Sequence, residues 1–298
     1  MKEVTQAGPG FDSLRSLLFC PANDMRKMQK ALGSGADAVI LDMEDSVAEP
    51  DKDAARALAV EALQMPRTKR VVVRVNAADT AHYLTDLAGV MRAAPDAIML
   101  PKCGSMADIT RLAAQIEVLE AAYGLPAGCV TILPLVTESA AALEGMAYRG
   151  ASPRLKALCF AAEDLASDFG VMARRDHKMH PLLAQARLQV VKAAAAAGLP
   201  AIDTPFPNTS DPAGVRQEAE DAAFLGFSGK LCIHPAHVPV LHEAFLPSPE
   251  KLSWAKAVLK ALENTTTGVG VVDGKMVDLA HLRLARRYLL QAGSEQNS

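Results

Sequence analysis

The chain has 298 residues, of which 50% are hydrophobic, 22% are charged and 4% are aromatic. These proportions are ordinary for a globular enzyme, so they exclude the disordered and fibrous classes of protein. The formal net charge is −3, and no basic run or Lys/Arg-rich helix is present. We therefore expect neither nucleic acid nor a membrane among the partners of this protein.

The amino-terminal sequence and the cysteines bear on the cellular location. Residues 1–13, MKEVTQAGPGFDS, are polar and contain none of the apolar sequence that a secretory signal requires. The five cysteines form no CxxC pair and lie mostly in apolar runs, at Cys20, Cys103, Cys129, Cys159 and Cys232. Such cysteines are typical of reduced, buried thiols. These features predict a cytoplasmic protein.

Short apolar runs alternate with segments of helical spacing along most of the chain. The apolar runs are 16–21, 36–43, 70–75, 97–102, 129–136, 157–162, 200–204 and 230–235. Continuous apolar runs of this length are typical of strands buried on both faces, as in a parallel sheet. The helical segments include 51–64, 105–123, 139–148, 181–198 and 212–225. This alternation predicts right-handed βαβ units.

Eight such units predict an α/β fold, the (β/α)₈ TIM barrel, which typically needs about 250 residues. A doubly wound open sheet is the alternative, but the turn after the first strand reads PANDM and lacks the glycine-rich dinucleotide fingerprint. We assign residues 12–245 to the barrel catalytic domain and residues 246–298 to a C-terminal appendage. Within the appendage, helical sequence is followed by a loop or short hairpin at 264–278 and a last helix at 279–292. The appendage is a candidate for oligomer contacts or a lid.

Charged residues follow almost every predicted strand. They are Asp42, Glu44 and Asp45, then Arg74, Lys102, Glu138, Asp164, Asp203 and His234. In a barrel the carboxyl ends of all strands crowd one face, which is where active sites lie. Charged groups are costly to bury unless they are paired or bound to a ligand. These residues therefore form either a salt-bridge network or a site for a metal ion and an anion.

Two of these carboxylates, Glu138 and Asp164, come from adjacent strands and could converge. A carboxylate pair without histidine or cysteine favours a hard cation such as Mg²⁺, whose shell water and substrate oxygens complete. The alternative is that each is a helix-capping or first-turn acid. For the two residues together, we favour metal binding.

Arg74 lies inside the apolar strand VVVRVN and must reach a carboxylate or a ligand. Its planar guanidinium suits a bound carboxylate or an enolate oxygen. The structural alternative is an ion pair with Asp42 or Glu44, which is compatible with catalysis. Lys102 suits either a ligand contact or a structural pair. His234 is more typical of a structural hydrogen bond than of a catalyst.

The strand-end motifs follow one another in the order SLLFCPAND, GADAVILDMEDSV, VVVRVN, LPLVTES, FAAEDLASDFG, GFSGKLCIHP and DGKMVDLAHLRLARR. On these motifs the chain resembles the citrate lyase β-subunit-like branch of the HpcH/HpaI aldolase superfamily, which also contains malyl-CoA and citramalyl-CoA lyases. The similarity runs from about Arg15 to about Arg287. One departure is Ala22, because family members often have glycine at this position.

The resemblance implies a TIM barrel, dependence on Mg²⁺ and chemistry at a C–C bond beside an acyl thioester. By motif, Glu138 and Asp164 are similar to the Mg²⁺ ligands, and Glu138 also lies against the substrate. Arg74 is similar to the arginine that holds the oxo-acid oxygen and the enolate. Arg15 is similar to a contact on the thioester or CoA side.

Three further residues take roles from the same resemblance. Asp42 and Glu44 are similar to catalytic-site residues that surround the metal and Arg74. Asp278, in KMVD, resembles an aspartate that a neighbouring subunit delivers into the active site as a general acid or base. This implies a homotrimer, or a hexamer built from trimers.

The expected function is a Mg²⁺-dependent carbon–carbon lyase for a 3-hydroxyacyl-CoA thioester of the malyl-CoA or citramalyl-CoA type. Its products are acetyl-CoA and a 2-oxo acid, and the reverse condensation is equally compatible. The alternatives are a malyl-CoA thioesterase and the β subunit of a citrate lyase complex acting on citryl-acyl-carrier-protein. A barrel without catalytic role is less favoured, because the acid, arginine and aspartate set is complete. An aldolase for a free hydroxy-oxo acid is less favoured, because the C-terminal KMVD segment and Arg15 resemble the thioester branch.

Overall fold

A computed structural model describes residues 10–263 and 268–293 of the chain. The chain divides into two compact units, with the boundary between Leu241 and His242. This boundary lies four residues before the one expected from the sequence (245 against 241). The assignment of catalysis to the first unit and of oligomer contacts to the second stays a prediction.

The first unit alternates strands and helices. Its strands are β1 (Ser16–Pro21), β2 (Ala38–Asp42), β3 (Arg70–Arg74), β4 (Ala97–Leu100), β5 (Thr131–Pro134), β6 (Leu158–Cys159), β7 (Arg174–Arg175), β8 (Lys178–Met179), β9 (Ala201–Asp203) and β10 (Gly229–Cys232). Its helices are α1 (Met25–Leu32), α2 (Lys52–Gln64), α3 (Tyr83–Met91), α4 (Met106–Tyr123), α5 (Glu163–Phe169), α6 (Pro181–Ala197) and α7 (Pro212–Leu225). Helix α8 (His237–Phe245) carries the chain across the boundary.

Eight strands of this unit, all but β7 and β8, form one parallel sheet in the order β5-β4-β3-β2-β1-β10-β9-β6. Its two ends, β5 and β6, meet through the parallel bridges Ile132↔Leu155 and Leu135↔Cys159. These bridges close the sheet into a ring, which confirms the predicted barrel. Strands β7 and β8 form a separate antiparallel hairpin between α5 and α6, which the sequence did not indicate.

The helix predicted over residues 139–148 is wrong. Only a single 3₁₀ turn forms in this segment, at Ala141–Leu143. Gly145 follows it with φ at 72°, a left-handed conformation that glycine adopts without strain and that ends helical geometry. The segment after β5 is therefore a loop, and Glu138 lies in it instead of preceding a helix.

Alternate residues of the strands fill the barrel interior. The central cluster includes Leu17 of β1, Ile40 of β2, Val72 of β3, Met99 of β4 and Leu231 of β10. Side chains two positions apart in a strand share a face. Asp42 and Arg74 stand two positions after Ile40 and Val72, so strand geometry brings both to the interior at the carboxyl ends of the strands.

The second unit contains α9 (Pro249–Glu263), β11 (Gly270–Val272), β12 (Lys275–Val277) and α10 (Leu279–Gly293). The two strands form an antiparallel hairpin, as predicted for this segment, although residues 264–267 lie outside the described part. Val272 and Val277 pack into a small core with Ala255, Val258 and Ala285. Across the described part of the chain, we find no helix with the length and hydropathy needed to span a bilayer.

Candidate active site

Arg74 and Asp42 form a buried ion pair at the carboxyl ends of β3 and β2. They are partners in the β2–β3 register. Arg74 Nε donates to Asp42 Oδ1 at 2.7 Å, and Nη2 donates to Oδ2 at 2.8 Å. Although burial opposes ionisation, these hydrogen bonds hold the pKa of Asp42 below its usual range. The phenyl ring of Phe19 lies below the guanidinium, with 4.9 Å between Cζ and the ring centroid.

Two further carboxylates surround Arg74 from the loop after β2. Nη1 lies 3.1 Å from Glu44 Oε2 and 3.2 Å from Asp45 Oδ2. Glu44 is buried, and burial raises its pKa to about 7 even though Arg74 opposes the shift. The ion pair expected as the structural role of Arg74 is therefore present, within a cluster that faces the site.

Glu138 and Asp164 line the same cavity as Arg74. Glu138 Oε2 accepts the backbone N–H of Lys102, while Oε1 is buried without a hydrogen-bond partner among the described residues. Burial raises the pKa of Glu138 to about 8, and the charges of Glu44 and Asp164 act in the same direction. Asp164 lies in the first turn of α5, and burial raises its pKa as well.

This pair of carboxylates fits a hard cation. An unpartnered buried carboxylate oxygen beside a second carboxylate is an unfavourable arrangement that a cation stabilises. In the described ranges, no three side chains of His, Cys, Asp or Glu converge into a complete metal cluster. A cation here would take two protein carboxylates, leaving the remaining positions to water and substrate oxygens, as is common for Mg²⁺. Of the residues predicted from the sequence, the structure brings these two together with Arg74, Asp42 and Glu44.

The cavity itself is small, with a volume of about 70 Å³. Apolar side chains form much of its wall, including Phe19, Leu135, Ala161 and Leu231. A neighbouring cavity of about 400 Å³ opens on the other side of Glu44, with Lys52, Asn76, His82 and Lys102 in its lining. Both cavities have lining residues at the carboxyl ends of the strands.

Lys102 takes part mainly through its backbone. Its φ of 52° is left-handed, which is a strained conformation for a residue other than glycine. This conformation aims its N–H at Glu138, while its exposed Nζ lies 3.7 Å from Glu44 Oε1. Hydrophobic periodicity does not indicate such a backbone role. The sequence therefore did not decide between a ligand contact and a structural pair for Lys102.

Lys52 is a site-supporting residue that the sequence did not reveal. Its buried Nζ donates to the carbonyls of Met43 and Glu44 at 2.9 and 2.7 Å, and to Asn76 Oδ1 at 2.6 Å. The ammonium therefore fixes the loop that carries Glu44. A lysine at the start of an amphipathic helix is usually predicted to be exposed to solvent. No sequence pattern distinguishes Lys52 from such a residue.

Arg15 lies apart from the other predicted site residues, and its substrate contact stays a prediction. Arg15 precedes β1, and its Nε donates to Asp37 Oδ2 at 3.2 Å, with both side chains buried. This places it at the amino end of the barrel, about 20 Å along β1 from the mouth at a strand rise of about 3.3 Å per residue. Arg15 is at this end because its motif adjoins β1 at the start of the strand. A cavity of about 690 Å³ at this amino end, with Arg70 and Lys156 in its lining, contains none of the predicted site residues.

Asp203 and His234 also lie outside the site. Asp203 binds Arg187 through two hydrogen bonds and accepts from Lys230 Nζ at 2.6 Å, in a buried cluster outside the barrel interior. His234 Nδ1 accepts the N–H of Ala236 at 3.2 Å, which agrees with the structural hydrogen bond expected for it.

Asp278 belongs to the second unit, where it precedes α10. Its Oδ1 accepts the N–H of Ala280 at 2.9 Å and lies 2.8 Å from His281 Nδ1. Its side chain is 41% exposed in the single chain described. The delivery of Asp278 to the site of a neighbouring subunit stays a prediction.

A closed parallel barrel with buried carboxylates and an arginine at the carboxyl ends of its strands defines a barrel enzyme whose site suits a cation and an anionic substrate. The family model described as HpcH/HpaI aldolase/citrate lyase matches residues 15–235. The chain belongs to this family. The predicted resemblance, and the prediction of an enzyme of lyase and aldolase type, are therefore confirmed.

Several curated relatives align along almost the whole chain. The citrate lyase subunit beta-like protein of Mycobacterium tuberculosis is 36% identical over 290 residues, covering 96% of each chain. The (3S)-malyl-CoA thioesterase of Cereibacter sphaeroides is 36% identical and covers 93% of this chain and 94% of its own. The citrate lyase subunit beta of Escherichia coli is 34% identical and covers 93% of both chains.

Solved structures of M. tuberculosis CitE share the fold. The complex with magnesium, acetoacetate and coenzyme A has a TM-score of 0.75 and 34% identity, covering 96% of this chain and 98% of that chain. The complex with oxaloacetate and magnesium has a TM-score of 0.67 and 33% identity, covering 80% of this chain and 99% of that chain.

Proposed function

We propose that this chain is a Mg²⁺-dependent carbon–carbon lyase for a 3-hydroxyacyl-CoA thioester of the malyl-CoA or citramalyl-CoA type. The products are acetyl-CoA and a 2-oxo acid, and the same site can run the condensation. The observation that carries this proposal is the cavity shared by Glu138, Asp164 and Arg74. The CitE complexes support it, because they contain magnesium with coenzyme A and acetoacetate, with oxaloacetate, or with pyruvate.

Glu138 and Asp164 are the residues that would hold the ion. Glu138 Oε1 is the buried oxygen without a partner among the described residues, so it has a lone pair to offer. When bound, Mg²⁺ would polarise the carboxylate and hydroxyl oxygens of the substrate and so favour loss of the hydroxyl proton. The backbone N–H of Lys102 holds the other oxygen of Glu138 and thereby orients the carboxylate.

Arg74 stabilises the negative charge that develops on the oxo-acid oxygen and the thioester enolate as the C–C bond breaks. A preorganised cation at the point where charge develops is usually a large contribution to catalysis. Asp42 fixes the guanidinium plane through its two hydrogen bonds, and Glu44 and Asp45 compete for Nη1. A substrate anion that displaces one of these two carboxylates from Nη1 therefore meets an arginine that is already oriented.

Asp278 protonates the enolate carbon in the lyase direction and removes a proton from acetyl-CoA in condensation. The carboxylate comes from a neighbouring copy in a homotrimer, or in a hexamer of trimers. Its position between β12 and α10, with 41% of the side chain exposed, supports this role because the carboxylate is accessible to a partner.

A malyl-CoA thioesterase is the second candidate, favoured by the 36% identity to the C. sphaeroides thioesterase. The same carboxylates and Arg74 would then direct water to the thioester carbonyl. A citrate lyase β subunit acting on an acyl-carrier-protein thioester is the third candidate, favoured by the relatives of that name.

The deciding experiment is a Mg²⁺-dependent assay on malyl-CoA and citramalyl-CoA that follows the oxo acid and the free thiol separately. Oxo acid with acetyl-CoA and no thiol establishes the lyase, whereas thiol release establishes the hydrolase. Glu138→Gln and Asp164→Asn should abolish Mg²⁺ binding measured by calorimetry, while Glu61→Gln on the exposed face of α2 serves as the charge-matched control. Failure of both CoA esters to react, with Mg²⁺ still bound, would favour the carrier-protein thioester.

A further inference from the structure

Asp278 and His281 form a closely coupled pair at the start of α10. The N–H groups of Ala280 and His281 donate to Asp278 Oδ1 at 2.9 and 3.4 Å. His281 Nδ1 lies 2.8 Å from the same oxygen and 3.2 Å from the backbone nitrogen of Asp278. Oδ1 is thus held from three directions, whereas Oδ2 has no hydrogen bond within the described residues and is left for an incoming group.

This contact requires a proton between the two side chains. An unprotonated imidazole nitrogen and a carboxylate oxygen are both acceptors, and they do not approach to 2.8 Å unless one of them carries hydrogen. Either Nδ1–H donates to Oδ1, in which case Nδ1 does not accept the N–H of Asp278, or a protonated Oδ1 donates to an Nδ1 that also accepts this N–H. A helix-capping box needs only an acceptor at the position of His281, for which Glu or Gln is usual. A histidine here adds a titratable group to the cap.

The pair lies in the second unit, whose other elements, α9 and the hairpin, carry further charged residues. Trp254 of α9 packs edge-on against the imidazole, with ring centroids 6.4 Å apart, which restricts rotation of the ring. The charged residues of the packed elements are, on α9, Glu250, Lys251, Lys256, Lys260 and Glu263, and, on the hairpin, Asp273 and Lys275. Glu250 and Asp273 line a cavity with Trp254, and Lys251 Nζ lies over the ring of Tyr288. In the described ranges, Asp278 is the one carboxylate within ion-pair distance of His281.

We infer that His281 is a positioning residue for Asp278, which orients the carboxylate and sets the pH at which it exchanges a proton with the substrate. This inference rests on the proposed function, in which Asp278 is the acid or base at the enolate carbon. In its support, the hydrogen bond from His281 holds the pKa of Asp278 below the usual range of an aspartate. In condensation, a lower pKa keeps the base ionised over a wider range of pH.

The test compares the pH profile of condensation between acetyl-CoA and glyoxylate or pyruvate in three proteins. His281→Gln keeps a side chain that can cap the N–H of Asp278 but has no ring that gains or loses a proton, so capping is separated from proton exchange. The ascending limb of kcat/KM should move to higher pH in His281→Gln, because the imidazole that lowers the pKa of Asp278 is lost. Arg283→Gln removes an exposed charge from the same helix, and its limb should coincide with that of the wild type.

The outcomes separate this inference from the function on which it rests. An unmoved limb in His281→Gln, together with an inactive Asp278→Ala, overturns the inference and leaves the proposed function intact. Full activity in Asp278→Ala removes Asp278 from the mechanism and the inference with it. His281→Asn provides a second variant without a titratable ring if the glutamine variant does not fold, and the same shift is expected from it.

Discussion

Arg74 and Asp42 face each other across the register of β2 and β3, and two hydrogen bonds of 2.7 and 2.8 Å join them. Strand geometry sets this pair, because both side chains follow the interior positions of their strands by two residues. A fork-to-fork pair fixes the guanidinium plane, so the substrate contact that we propose for Arg74 requires no rotation of the guanidinium.

Arg74→Lys tests whether this fixed plane matters. Lysine keeps the charge but cannot form the paired contact with Asp42, and loss of an oriented donor commonly lowers kcat by about 10²- to 10³-fold. We expect a fall of this size with little change in the Mg²⁺ concentration for half-activation, since Arg74 is not a proposed ligand. Steady-state kinetics over a Mg²⁺ series measure both quantities. An equal loss of Mg²⁺ affinity would instead assign Arg74 to the integrity of the metal site.

The acid cluster makes a prediction about stability without metal. Burial raises the pKa of Glu138 from its model-peptide value of 4.5 to about 8 and that of Glu44 to about 7. At pH values between the pKa of these groups in the unfolded chain and their raised pKa in the folded chain, the folded chain holds protons that the unfolded chain has lost. The contribution of these two groups to the free energy of unfolding is therefore fully present below about pH 4.5 and is lost as pH rises through 7 and 8.

Urea unfolding of the metal-free protein at pH 5.5, 7 and 8.5 measures this effect. The free energy of unfolding should fall with rising pH, and the difference between the wild type and Glu138→Gln isolates the part due to Glu138. Addition of Mg²⁺ should restore more stability at pH 8.5 than at pH 5.5, because the ion competes with protons for the carboxylates. A wild-type-minus-variant difference that stays flat across this range would contradict the raised pKa of Glu138.

Much of the site is predictable from the sequence because strand order and side-chain parity determine it. Asp42 and Arg74 end apolar runs, and the barrel brings such ends to one face. Glu138 and Asp164 line one cavity with Arg74 for the same reason, although their roles as metal ligands stay predictions. Strand order does not bring a residue that precedes a strand to this face. Arg15 accordingly lies at the amino end of the barrel, beside Asp37.

The features that hydrophobic periodicity does not predict depend on backbone conformation and tertiary contacts. The left-handed φ of Lys102 has no signature in residue type, since glycine is the usual occupant of that conformation. The β7–β8 hairpin consists of two-residue strands, too short for a periodicity to show. Lys52 is buried through two carbonyls and an amide on distant segments, which no local pattern records.

Lys52→Met tests the support of the loop that carries Glu44. Removing the ammonium takes the donor from Asn76 Oδ1, at a cost of about 1–3 kcal/mol for a buried group left unsatisfied, while the carbonyls of Met43 and Glu44 keep the N–H donors of Asn76 and Val47. We also expect kcat to fall by about 10- to 100-fold, as when an outer partner of a metal site is lost. Lys30→Met, on the exposed side of α1, provides the control for the lost charge. Unchanged kcat in a destabilised Lys52→Met would limit Lys52 to a structural role.

The seam between β1 and β10 depends on Gly229. A Cβ atom on this residue would lie 2.1 Å from the carbonyl oxygen of Leu14 and 3.0 Å from Cα of Arg15. Both contacts are with backbone, so no side chain can turn aside to relieve them. The strands pair immediately beyond this point, where the N–H of Lys230 donates to the carbonyl of Arg15 at 3.0 Å.

Gly229→Ala should therefore destabilise the barrel by at least the roughly 1–3 kcal/mol that overpacking commonly costs. Gly35→Ala is the matched control, because its Cβ would meet Val238 at an ordinary 3.8 Å. Chemical denaturation of both variants measures the difference in the free energy of unfolding. Because Gly229 lies at the amino end of β10 and the charged cluster lies at the carboxyl ends, Mg²⁺ affinity of the folded fraction of Gly229→Ala should stay close to that of the wild type. Equal free energies of unfolding for the two alanine variants would mean that β1 and β10 separate readily at this seam. This would contradict the close backbone packing at Gly229.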